Sequence, residues 1–304
     1  MELFRKTIGI VEQIINSLEN SKSPFIYFIL TFFFAVTLRN FLEIISTKEL
    51  ISLLSFTHYY IAYTALAMSL ILLFYIATKT DVMKIARVIL PSFLILNLAP
   101  LLDLLISQGK GYKMTYLLPG IHDNLVLRFF TFFGDFPAMG VTPGQRIEIL
   151  LVLLACFIYF YTKNLNQFSG LFYTLLTYTL IFCATASPII IGSVIEFNSL
   201  GLRSIKLLSQ VFLLIILATG IVLIYLANRD YFKIFISDVR PWRLSHFELM
   251  FALGLSLGIS NIHYNFDIID IQIKARSKDC KPYDAARFAA MTINPRDNCS
   301  TLSS

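Results

Sequence analysis

Charge is what this 304-residue chain has least of: Asp, Glu, Lys and Arg together make up 14% of it. Soluble domains carry about 25%, so the chain has too little charge to solvate a globule of its size. Cysteine is sparse as well, with four residues. Cys156 and Cys183 fall inside apolar runs, where small buried hydrophobes belong. Cys280 and Cys299 could pair only in an oxidising compartment, and no Cys/His spacing resembles a zinc site. Neither phosphate-loop glycine pattern occurs. There is no short-period repeat and no low-complexity segment. The opening MELFRKTIGIVEQIINSLEN mixes acidic and basic residues and lacks a small-residue cleavage site, which argues against a removed signal peptide.

What the chain has in abundance is apolar length. Hydrophobic residues make up 57%, with 28 Phe and 15 Tyr. Several uncharged runs reach the roughly 20 residues that a helix needs to cross lipid. An all-α polytopic membrane protein of about seven spans is expected, preceded by an interfacial helix. The net charge of +6 belongs to residues that flank these runs and face headgroups, so it does not point to nucleic acid.

Residues 2–20 place Phe4, Ile8, Val11, Ile15 and Leu18 at helical spacing with polar residues around them, the pattern of an amphipathic helix in the interface. The first span is expected at 24–45. Arg39 and Glu43 near its far end read as snorkelling to the headgroups, with pairing on one helix face as the alternative. A second span lies within 50–78, and a third at 86–106 is bent by Pro91 and Pro100. Asp103 reads as an interfacial carboxylate at the membrane edge. In the long connection 107–146, Asp123 could cap a short helix over 124–133, ending at Gly134. Thr142, Pro143 and Gln145 then form a capping box, which starts the fourth span at 143–162. The fifth is expected at 168–190 with Pro188 ending or kinking it, and the sixth between Lys206 and Arg229. A basic, aromatic link over 229–244 leads to a seventh apolar helix at 245–262. These expectations divide the chain into an interfacial helix (1–23), a six-helix membrane domain (24–228), the link and seventh helix (229–266) and a polar tail (267–304). The tail is too poor in large hydrophobes to bury a core, and partial disorder is expected there.

Orientation follows from Lys and Arg in the short connections. Eleven lie on the side of the N-terminus and four on the other, so the N-terminus is expected in the cytoplasm.

One stretch carries candidate chemistry. Arg240, Pro241, Trp242 and Arg243 precede His246 and an apolar helix containing Gly254 and Gly258. Asn265, Phe266, Asp267, Ile268, Ile269 and Asp270 follow, with the two aspartates at three-residue spacing. Together these resemble the opening of UbiA-type prenyltransferases, in which an Arg-Pro pair starts the first helix and an N-D-x-x-D-x-x-x-D motif holds Mg²⁺. The resemblance covers about 30 residues. It implies that Arg240 and Arg243 meet an isoprenoid diphosphate, and that Asp267 and Asp270 bind the Mg²⁺ that neutralises it. Phe266 stands between the Asn and the first Asp, and Lys274 occupies the third acidic position. A second helix and a second aspartate motif of the family are missing, so no catalytic residue is assigned. The expectation is a membrane module of a UbiA-like polyprenyl-diphosphate:lipophilic-acceptor transferase, incomplete on its own. Its partners are membrane lipids and an isoprenoid diphosphate. If 245–262 spans, the arginines and aspartates lie on opposite sides of the membrane; a shared site requires that it re-enter.

Two other classes fit the same residues. A non-catalytic scaffold or assembly subunit needs no site. A small-solute transporter would use Asn97, Pro91, Pro100 and Asp103 in a broken third span.

Overall fold

In the computed structural model, the described residues are 2–47, 51–112, 116–117, 125–134, 141–163, 166–194, 204–239 and 250. All regular structure among them is helical: α1 (Glu2–Glu19), α2 (Phe25–Thr47), α3 (Leu53–Thr78), α4 (Val82–Ser92), α5 (Leu98–Ile106), α6 (Leu125–Phe130), α7 (Pro143–Thr162), α8 (Gln167–Thr185), α9 (Ser187–Val194), α10 (Ser204–Ala227) and α11 (Arg229–Val239). Six stretches among them are long and apolar enough to cross a membrane: α2, α3, Val82–Ile106, α7, α8 and Ile205–Ala227. The chain is an integral, multi-pass, all-α membrane protein. Large apolar side chains cover its outer faces, among them Phe34 at 59% exposed on α2 and Leu214 at 64% on α10. Such a surface belongs against an apolar medium, which fits spans long enough to cross lipid. The seventh helix expected at 245–262 lies outside the described residues apart from Met250, as does the polar tail.

Residues Met1–Ala227 form one compact unit. Its main core gathers Phe32, Val36, Phe74, Ile85, Phe93 and Phe160, drawn from α2, α3, α4, α7 and the turn that follows α4. The third span is interrupted, as its prolines require. α4 ends at Ser92, a 3₁₀ segment (Phe93–Asn97) follows, and α5 restarts at Leu98. Pro91 sits in the last turn of α4, while Pro100 falls in the first turn of α5, where a missing N–H costs nothing. The capping box at α7 forms as expected: the Thr142 hydroxyl accepts the Gln145 N–H, and the Gln145 side chain accepts the Thr142 N–H. α8 gives way to α9 at Ala186, two residues before Pro188.

Two elements differ from expectation. α6 is shorter than the run 124–133. It ends at Phe130, and Phe132 and Phe133 take left-handed backbone before Gly134. Phe133 is fully buried against Tyr178 and Phe182 of α8, so burial of this aromatic corner sets the chain path. The unit that begins at Asn228 contains α11 where a link was expected. Asn228 caps it, accepting the Asp230 and Tyr231 N–H groups at 3.0 and 3.2 Å.

α1 packs along the bundle against α4 and α7. Ile15 and Glu19 are buried, whereas Ile10 and Ile14 stay half-exposed. This is the apolar stripe that the spacing called for, with a buried acid at its end. The Glu19 carboxylate meets Lys163 Nζ at 2.6 Å and accepts the Tyr159 hydroxyl at 3.1 Å. Arg87 donates to the Glu19 carbonyl at 3.3 Å. α1 is therefore fastened at the end of the bundle where α7 finishes.

Candidate functional site: a buried charged cluster at the head of an apolar cavity

Arg240, Arg243, Asp267 and Asp270, the residues that carry the family resemblance, lie outside the described residues, and the Mg²⁺ assignment lies there with them. No group of three or more His, Cys, Asp or Glu among the described residues is disposed to hold a metal.

Within the bundle, the structure assembles a set of polar side chains that the sequence reading did not bring together. The buried face of α2 continues from Phe32 and Val36 into Arg39, Asn40 and Glu43. Arg39 Nη1 lies 3.4 Å from Glu43 Oε2, and both side chains are nearly sealed, at 4% and 6% exposed. The Arg39 guanidinium also sits over the Tyr63 ring, 5.1 Å from its centroid. Snorkelling is thus replaced by pairing. The helices around α2 enclose this end of it, so the charges cannot reach the headgroups and must compensate one another.

Asp103 is also corrected. It is not at a wet edge but fully buried. Its carboxylate accepts the Thr142 hydroxyl and, at 2.8 Å, the Gly144 N–H. These are donors at the start of α7, where the first N–H groups have no partner in the helix and the dipole favours an anion. Glu148, one turn further along α7, returns the arrangement by accepting the Ala99 N–H at the start of α5, at 3.0 Å. Gly144 is required for this packing: a Cβ there would stand 2.8 Å from Asp103 Cγ.

A second polar group lies on α3. His58, 2% exposed, touches Ser209 of α10 at 2.8 Å through Nδ1 and the Tyr116 hydroxyl through Nε2. Ser209 already donates to the Ile205 carbonyl, so it accepts from Nδ1–H, and Nε2 accepts the Tyr116 O–H. Burial holds the Tyr116 phenol above its ordinary range, which keeps it a hydroxyl at physiological pH.

Some of these groups stand at one end of a cavity of about 440 Å³, inside the ~300–1,000 Å³ range of small-molecule sites. Arg39, Tyr59, Tyr116, Gln145 and Glu148 line its polar end. From there the wall turns apolar, passing Leu70 and Phe74 on α3 and Val152 and Cys156 on α7 to reach Ile15 of α1. From Tyr59 to Phe74 it follows α3 for about 22 Å at 1.5 Å of rise per residue. Half-exposed Ile14 and exposed Ala155 belong to the lining, so the cavity opens sideways there.

The i, i+4 spacing of Arg39 and Glu43 and the capping box were local signals for parts of this site. Glu148, His58, Tyr59 and Tyr116 had no such signal, because each acquires its role from a neighbour distant in sequence. No family model, no curated protein and no solved structure matches this chain.

Proposed function

We propose that the unit ending at Ala227 is the lipid-holding membrane module of a UbiA-like polyprenyl-diphosphate:lipophilic-acceptor transferase, with its N-terminus in the cytoplasm. The observation that carries the lipid-holding part is the cavity, a mainly apolar pocket in which Arg39 and Glu148 share one end. A lipid has that shape and that division of chemistry: its chain replaces methylene contacts along Leu70, Val152 and Ile15, and its head meets Arg39, Tyr59, Tyr116 and Glu148. The prenyl-transfer part rests on Arg240, Pro241 and Arg243 and on the spacing of Asp267 and Asp270. On that reading these residues hold the diphosphate and its Mg²⁺. The cytoplasmic N-terminus rests on the excess of Lys and Arg on its side.

The transporter alternative would make Asp103 a substrate ligand in the broken third span. Its bonds to Thr142 and Gly144 disfavour that role, because they already engage both carboxylate oxygens. A scaffold has no use for an open amphiphilic cavity.

The test is the lipid carried through purification of the full chain. Wild type should retain about one lipophile per chain by native mass spectrometry. Val152→Trp, which fills the cavity, should lose it, whereas Leu94→Trp on the exposed outer face should keep it. Equal retention in all three would mean annular lipid and would end the lipid-holding reading.

A further inference from the structure

The cavity's polar end has a definite charge balance. Among the described residues that line it, Arg39 is the one basic side chain and Glu148 the one acidic side chain. Arg39 already pairs with Glu43 and stacks over Tyr63. Asp103 is a second buried acid near Glu148, already engaged by Thr142 and Gly144. An incoming anion would therefore meet one guanidinium already compensated by Glu43, and no second cation among the described lining residues, in a medium that screens little. A hydroxyl meets complementary partners instead: it can donate to Glu148 and accept from Arg39 or a tyrosine.

We infer that this cavity takes an uncharged lipophile whose head is a hydroxyl, and excludes the same chain carrying a diphosphate. The inference rests on the lipid-holding reading above and names the ligand class of that site. It also separates two binding places: any isoprenoid diphosphate binds elsewhere on the chain, and what enters between α3 and α7 is neutral. Glu148 is then a side chain that meets the hydroxyl.

The experiment uses the full chain in nanodiscs, with radiolabelled farnesol and farnesyl diphosphate as probes and EDTA present so that no metal masks the diphosphate charge. Binding lost in Val152→Trp counts as cavity binding, which removes partition into lipid and any diphosphate held elsewhere. Farnesol should occupy the cavity at least ten-fold more tightly than farnesyl diphosphate. Farnesoic acid, which puts a single negative charge on the same chain, supplies a comparison that needs no variant, and farnesol should outbind it ten-fold as well. Diphosphate binding as tight as farnesol in wild type, or farnesoic acid binding as tight as farnesol, would each overturn the inference while leaving the lipid site standing. Absence of cavity binding by all three probes would overturn the lipid-holding reading with it.

Discussion

Asp103 and Glu148 each cap the helix on which the other stands. The carboxylate from α5 accepts the Gly144 N–H of α7, and the carboxylate from α7 accepts the Ala99 N–H of α5. Two helix starts buried within the bundle would otherwise hide unpaired N–H groups. The exchange satisfies those donors and gives both acids a positive dipole end, so their burial is structural before it is functional. Asp103→Ala should therefore destabilise the fold by roughly 2–4 kcal/mol, since it strands the Gly144 N–H and the Thr142 hydroxyl together. Thermal unfolding in detergent checks this. Asp103→Asn, which keeps an acceptor, should cost less; if Ala and wild type unfold together, the capping account fails.

Gly144→Ala probes the same contact from the other side. The new methyl would lie 2.8 Å from both Cγ and Oδ1 of Asp103 and still closer to the Ala99 carbonyl. Overpacking of this kind costs about 1–3 kcal/mol. A Gly9→Ala control, with nothing within 4 Å of its added methyl, should be neutral or slightly stabilising.

How much of this was legible in the sequence depends on the range of the signal. The spans were visible as uncharged runs, and the start of α7 was visible because Thr142, Pro143 and Gln145 are local. Asp103 was misread because its partner Thr142 is 39 residues away, and a carboxylate near the end of an apolar run looks the same whether water or another helix meets it. Arg39 and Glu43 gave the correct spacing, but their burial depends on the packing of helices further along the chain. α11 was hidden by its basic and aromatic composition, although Asn228 before Arg229 and Asp230 was a capping signal.

The fastening of α1 should behave as an ion pair and not as general packing. Lys163→Glu should loosen α1 and cost roughly 1–2 kcal/mol, between the values for exposed and buried pairs. Limited proteolysis should then cut between Glu19 and Phe25 at least several-fold faster. Combining it with Glu19→Lys should restore part of the protection. If the double variant is cut as fast as Lys163→Glu alone, the pair does not hold the helix.

Topology follows from the same contact. Glu19 and Lys163 touch, so the end of α1 and the end of α7 share a membrane face. The alternation of spans puts Lys110 on the other face. Single cysteines at 22 and 163 should react with an impermeant maleimide only when the cytoplasmic side is open, and one at 110 should react from outside. Labelling of all three from one side would contradict the arrangement of spans.

The claim on which the functional account depends is that the cavity holds a lipid. An experimental density map of the full chain in a lipid nanodisc, with a bound antibody fragment for size, tests it most directly. The account predicts one elongated non-protein density, with its narrow part between Leu70 and Val152 and its head within hydrogen-bonding reach of Glu148. A cavity closed by the collapse of α3 onto α7, or filled only by discrete waters, would contradict it.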